Sequence, residues 1–573
     1  MPPSPSKRPR EGSQASCPSS SAEVEQIVRG MFLKRANNKG VSAVADTLTA
    51  HHVTFSVADL NHVVSSHQRL QIIRYLLGRL GYHPVSQSCQ HADVAEMMVE
   101  HGAIHSLCLQ LGFVLNKDKR SDSEELQGIC TLIHVLCQCR ESLRERVMLQ
   151  IGIDLNALLV RVLEQSNRNE TMNEHTVQSI LCTWHIVAAS SEGSTRLLQC
   201  QGLVGAVVDV LKLERYYSTL ILAEAMGIIK HMTYFAEDYR MHVLEFPNLT
   251  PTLCRLPFSA LPEMTSERLS AVFRNLACTS QVRLAMVDQS IVLAAIVQLC
   301  KGPSRRMRRN LLSTLDSLAM EPDSAMPMVL FGDGLVLNVL MKFLAAKEDD
   351  TTRRRAARAL RLLARDKTAA LLSRVPALLE RLADAALHDP SREVRVDVAE
   401  AFANCAAYIR APMPSHDATL SSLAQLSSGP VPDAVAKALK EQAMVPDNRP
   451  KMAENVDLLS ALAELALRDH ASNSSKEDVA NALFQLSNDD GNREKMTTEP
   501  VLKTLVRTCQ QYDIRELAIS ALLNLATVEA SRKRMVSHPG LLNALVQFAA
   551  SSSSCPSLKK DVKKAIMMLV PLL

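Results

Sequence analysis

Four arginines, Arg354, Arg358, Arg361 and Arg365, are spaced 4, 3 and 4 residues apart in the stretch TTRRRAARALRLLARDK. On a helix this spacing places them on one face, opposite Leu360 and Leu363. Just upstream, Arg305, Arg306, Arg308 and Arg309 follow the turn residues Gly302 and Pro303. Guanidinium forks so arranged can grip phosphates or a row of carboxylates. The plainer alternative is a solvated face partly neutralised by neighbours, Asp316 and Glu400 among them. A second concentration is of histidine: 8 of the 17 lie between residues 51 and 105. His101, His105 and Cys108 share a helical face, and Cys89 and His91 come shortly before. Zinc would need four such ligands at a closed spacing; no recognised metal spacing is matched, so no metal is expected. There is no Gly-rich phosphate loop, no G-x-S-x-G, no H-E-x-x-H, and no carboxylate pair in a catalytic context. The chain is therefore expected to be no enzyme and to need no cofactor.

These side chains need elements to position them, and composition says which. Apolar residues make up 47% of the 573, aromatics only 4%, and Gly numbers just 19, a text dominated by Leu and Ala that suits packed helices rather than a sandwich or barrel. Lys and Arg total 64 against 60 Asp and Glu, so any attraction to nucleic acid would have to come from a local patch. The 14 cysteines contain no C-x-x-C pair, which reads as reduced, buried thiols of an intracellular protein. With no apolar run near 18 residues and no charged-then-apolar leader, neither membrane insertion nor secretion is expected, and the location is cytoplasm, nucleus or both.

The helices repeat. In Ile514 to Met535, Leu517, Ala518, Ala521, Leu522 and Leu525 form one helical stripe. Residues 437–452, 481–496 and 520–535 align without gaps, at offsets of 44 and 39. The position of Leu525 can be followed back through Leu486, Gln442, Cys405, Leu363, Leu318, Leu276, Met232, Val187, Leu136 and Leu80, and forward to Leu569. That predicts about twelve units. The polar insertions 116–125 and 165–174 account for much of the longer spacing near the N-terminus.

Periods of about forty to forty-seven residues belong to armadillo and HEAT arrays. SAVFRNLACTSQVRLAMVDQSIVLAAIVQL (270–299) resembles an armadillo repeat: a helix ending in N-L-A, a short loop, an Arg, then two apolar helical stretches with a turn between. The same order recurs at 520–549, with Arg532 and a turn at Pro539 and Gly540. Asp389, Pro390, Val394, Arg395, Ala399 and Ala401 are more similar to a HEAT repeat. The resemblance covers most of residues 70–573. It implies an all-α, right-handed α-solenoid of about twelve armadillo/HEAT-type repeats: a cap at 22–110, the repeat array at 111–573, and atypical units at the ends.

It also implies a groove lined by each unit's third helix, where an Asn holds the backbone of an extended peptide through its paired donor and acceptor. The matching positions hold Asn275, Asn404 and Asn524, but Gln485, Glu441, Leu362, Ser317, His231 and Ile186 elsewhere. Importin alpha, a member with such a groove, also needs a Trp one turn earlier; here those places hold Ala271, Glu400 and Ser520, which puts a nuclear-import adaptor role in doubt. The lone Trp184 is expected to pack. Residues 1–21 are a disordered Ser/Pro tail in which Lys7, Arg8 and Arg10 resemble a short nuclear-import signal. The expected function is a protein-binding scaffold without catalysis. Its partner is an extended or acidic segment, held in a groove centred on 270–410 by the three Asn together with Arg354, Arg358, Arg361 and Arg365. The competing expectation is a nucleic-acid binder using the same arginines on phosphates.

Overall fold

In the computed structural model the described residues are Leu60 and 66–572, less short stretches at 82–90, 116–122, 143, 145–155, 165–173, 214–216, 236, 346, 411–415, 469–470, 512 and 551–555. The tail with Lys7, Arg8 and Arg10 lies outside them, as do Cys89 and four of the eight early histidines. Among the described residues every regular element is a helix, and no single helix is long and apolar enough to cross a membrane. The chain forms two compact units, Met1–Leu276 and Ala277–Leu573.

One helix per repeat builds a ladder in each unit. In the first unit the rungs are α1 (Ser66–Arg79), α2 (Ser123–Cys139), α3 (Glu174–Ala188), α4 (Thr219–Phe235) and α5 (Glu263–Leu276). In the second they are α6 (Arg305–Ala319), α7 (Asp350–Leu363), α8 (Arg392–Ala406), α9 (Pro432–Met444), α10 (Asn473–Ser487), α11 (Arg515–Ala526) and α12 (Pro556–Leu569). Within each unit every rung packs on the next. Behind the second ladder runs an outer layer in which Val456–Leu467, Glu499–Thr508 and Leu541–Ala550 pack in succession. The two layers are an all-α solenoid.

The twelve reference positions found in the sequence, from Leu80 to Leu569, lie at the C-terminal ends of these rungs and are all buried, none more than 3% exposed. A rung is touched by a neighbour on each side and by its own outer helix, so its buried arc is wider than one stripe. In α11 this brings Ile519 inside with Ala518, Ala521, Leu522 and Leu525, while Leu517 is only half-buried.

The turn into the second helix of a repeat is tight and left-handed. Gly102, Gly202, Gly334 and Gly540 occupy it at φ 77 to 90°, and Asn248 at φ 63°. A Cβ there crowds the following carbonyl at a cost of about 1–2 kcal/mol, a penalty only Gly escapes. Gly202→Ala is expected to destabilise the first unit by about that amount, because the added methyl would also sit 3.3 Å from Val160 Cγ1. Urea unfolding of the variant beside the parent measures it.

Among the described residues every cysteine is a free thiol. Burial pushes Cys130, Cys137, Cys300 and Cys405 up to about 12, so these are neutral, apolar core residues.

Candidate partner-binding face

The arginine stripe is held by α7, whose inner side is Ala356, Ala357, Ala359, Leu360, Leu362 and Leu363. Asp349 caps its N-terminus, accepting from the Thr352 backbone N–H at 3.3 Å and from its hydroxyl at 2.6 Å. The same carboxylate receives Arg305 at 3.1 Å and Arg309 at 3.0 Å from α6. Burial alone would raise the Asp349 pKa; the bonds from Thr352, Arg305 and Arg309 more than offset this and hold it well below the usual carboxylate range.

Each sequence-predicted arginine reaches a neighbouring rung or stands at the end of its own. Arg354 binds Asp350 at 2.6 Å and Glu393 of α8 at 2.6 Å. Arg358 faces Asp316 of α6 at 3.5 Å, and Arg361 lies 2.7 Å from Asp397 and 3.6 Å from Glu400 of α8. The neutralising neighbours expected from the sequence, Asp316 and Glu400, are therefore in place. Burial raises the pKa values of Asp316 and Asp397 above the usual range, more than the arginines lower them. Arg365 is half-buried just past the C-terminal end of α7, where the next helix, Asp366–Leu372, begins.

Depth separates the two signs of charge. The side chains of Arg305, Arg309, Arg354 and Arg358 are 61%, 44%, 46% and 48% exposed, whereas those of Asp316 and Asp349 are only 9% and 12% exposed. For Arg305, Arg309 and Arg358 the carboxylate lies beneath and the guanidinium faces solvent; the partners of Arg354, Asp350 at 41% and Glu393 at 68%, are themselves exposed.

The asparagines sit elsewhere in the design. Asn275 is 3% exposed and gives its amide to the Lys230 carbonyl at 3.0 Å and to Thr233 Oγ1 at 3.3 Å. Asn404 donates to the Ala364 carbonyl at 3.0 Å, and Asn524 to Ser487 Oγ and Asn488 Oδ1, each at 3.0 Å. All three tie a rung to the end of the rung before it. The orphan carbonyls of a helix C-terminus need such donors.

A second set of donors was visible in the sequence only as the Arg of the armadillo pattern. Arg283, Arg449, Arg493 and Arg532 each reach back six residues, to the carbonyls of Ala277, Ala443, Ser487 and Ala526, at 2.8 to 3.2 Å. Arg449 also holds Gln485 of the following rung at 3.0 Å, and Arg493 holds Thr527 at 2.9 Å. Among the described residues no group of three His, Cys, Asp or Glu side chains is placed to hold a metal ion.

The ladder of the first unit carries a different polar network. Glu224 of α4 binds His185 of α3 and, at 3.2 Å, Arg268 of α5. Burial raises the Glu224 pKa, but His185 and Arg268 together hold it below the usual carboxylate range. His134, 3% exposed on α2, is pushed down to about 4 by burial, with Glu224 opposing. His231, packed 5.1 Å from the His185 ring, is pushed down to about 4 by burial and then by Lys230, His185 and Arg268.

Both imidazoles are therefore neutral in the folded protein, and the unfolded chain binds the extra proton first. Their contribution is complete above the ordinary value of 6.5 and is lost as the pH falls from there towards 4. At about 1.4 kcal/mol per pKa unit, His134 alone is expected to withdraw about 2 kcal/mol by pH 5. Denaturant unfolding at pH 7 and pH 5 tests this; His134→Leu should flatten the dependence, and an unchanged pH profile in that variant would exclude His134 as its source.

No protein-family model matches this chain, and no curated protein sequence does. Solved structures do. Uso1-2 aligns with a TM-score of 0.53 at 13% identity, over 91% of this chain and 85% of that chain. A chain from work on a phosphorylation switch that controls the interaction between cadherin and beta-catenin aligns with a TM-score of 0.50 at 14% identity, over 86% of this chain and 100% of that chain. A designed armadillo repeat protein is matched over 46% of this chain and 99% of its own at 15% identity, with a TM-score of 0.36. Identities this low speak of fold and not of activity. The chain has the armadillo-like helical-repeat fold.

Proposed function

We propose that this chain is a scaffold that binds protein partners without catalysis, and that the second unit takes an extended acidic segment across α6 and α7. The observation that carries the reading is the depth separation of charge: exposed arginines above carboxylates buried at 9% and 12%. An incoming carboxylate meets cations directly, while the internal partners are too deep to compete for their outer edges. Pairs between solvent-exposed charges contribute about 0.2–1 kcal/mol each, so affinity must be gathered from several contacts along this face. All three asparagines serve as rung ties in this reading: the amide of Asn275 is engaged within the first unit, half-buried Asn404 sits on α8 next to α7, and half-buried Asn524 lies four rungs along on α11. One of the similar solved structures concerns the interaction between two proteins, cadherin and beta-catenin, which agrees with a protein ligand here.

The test is fluorescence anisotropy on the full chain, with a labelled Glu-rich peptide and a single-stranded oligonucleotide of equal length. The peptide is expected to bind, and Arg309→Gln with Arg358→Gln to weaken it by about tenfold or more, roughly 1.4 kcal/mol or above. A peptide that fails to bind while the oligonucleotide binds, losing affinity with salt at a log–log slope of about −0.7 per phosphate contacted, would make the ligand nucleic acid instead.

A further inference from the structure

The C-terminal ends of the rungs form an edge of their own. Cross-ties align them: Asn404 of α8 grips the end of α7 at Ala364, Gln442 of α9 grips Ala406 and Ile409 at the end of α8, and Arg449 spans from the end of α9 to Gln485 of α10. At successive ends stand Met320, Arg365, Tyr408 and Met444, each within three residues of its buried reference position. Met320 is 45% exposed, Tyr408 40% and Met444 50%. Single exposed apolar side chains are ordinary, but these stand two or three residues past the buried reference position in three of four successive repeats, and beyond them the place two residues past it turns polar, at the exposed Asn488 and Thr527. Met and Tyr are residue types enriched where proteins bind one another.

Arg365 falls between Met320 and Tyr408, and among the described residues no ion pair occupies its guanidinium. It is also the last member of the stripe that runs up α7 through Arg354, Arg358 and Arg361. The basic face and the apolar edge therefore meet at Arg365.

We propose that this edge docks the bulky apolar side chains of the same acidic segment, so that the partner carries carboxylates flanked by Leu, Phe or Met rather than a plain acidic run. The charge on the edge selects such an occupant over a basic or purely apolar one. This inference rests on the function proposed above and specifies its ligand.

The experiment compares three labelled peptides on the full chain: a Glu-rich core, the same core flanked on both sides by Leu and Phe, and the flanked peptide with its Glu replaced by Gln. The flanked acidic peptide is expected to bind at least tenfold more tightly than the core. Met320→Ser with Tyr408→Ser should abolish that gain and leave the core's affinity unchanged. Leu330→Ser, which removes a side chain 59% exposed away from this edge, should change neither. If the flanks add nothing, or their gain survives in the Met320 and Tyr408 variant, the inference falls while core binding that depends on Arg358 keeps the proposed function standing. If the Gln version binds as well as the acidic one, the acidic reading falls with it.

Discussion

Asp389→Ala is expected to destabilise the second unit by about 3–5 kcal/mol, the cost of stranding one member of a buried ion pair. Arg353 and Asp389 join α7 to α8 with side chains only 8% and 3% exposed. Asp389 accepts Arg353 Nε at 3.0 Å and the Ser391 backbone N–H at 2.8 Å, so it is both counter-ion and turn acceptor. With the carboxylate gone, Arg353 keeps the Glu348 carbonyl at 2.6 Å and a 3.5 Å approach to Asp350, the latter 41% exposed and largely screened. Neither replaces a buried charge. Asp389→Asn, which preserves an acceptor, should fall between the parent and the alanine variant. Because this joint sets α7 against the turn into α8, acidic-peptide affinity should weaken with it, although Asp389 itself pairs with Arg353 and not with the exposed arginines. Urea unfolding reads the loss; a change below about 1 kcal/mol would mean that solvent reaches the joint more freely than its burial implies.

The second large effect concerns the one polar residue among the twelve reference positions. Gln442→Leu installs the commonest residue at that place, and on pattern alone it should be harmless. It is expected instead to cost about 1–3 kcal/mol, the cost of one buried polar group left without a partner. Gln442 is fully buried. Its amide donates to the carbonyls of Ala406 and Ile409, and its oxygen meets Asn448 Nδ2 at 2.8 Å and His416 Nε2 at 3.2 Å. The Leu variant leaves His416 Nε2 without its partner, while the Ala406 carbonyl keeps the Ile409 N–H at 3.1 Å and the Ile409 carbonyl keeps Arg410 at 2.9 Å and Asn448 at 3.3 Å; the loss of the Gln442 bond should also lower the His416 pKa further below its ordinary value, where burial already holds it. Adding His416→Leu should recover part of the stability by removing one stranded group. If Gln442→Leu melts with the parent, the network carries no stability of its own.

Gln442 also marks the limit of what a linear pattern conveys. The repeat, the helical class and the residues at each rung's buried end follow from the sequence alone. The period of about forty leaves apolar faces that only a neighbouring copy can cover, and that requirement is written locally. The left-handed turn at Gly540 is likewise local, since the backbone angle it needs penalises any side chain.

The partners of polar side chains are not local. Asn275, Asn404 and Asn524 have the residue type and position of peptide clamps, yet their amide donors are engaged 36 to 45 residues back along the chain. Arg353 and Arg354 are adjacent, and one is buried against Asp389 while the other is 46% exposed. No spacing rule separates them, because the distinction depends on which side of α7 faces the core and which meets α8. Charge type and helical face were legible before folding; whether each arginine became a buried tie or an outward cation was decided by which side of its rung the neighbouring elements cover.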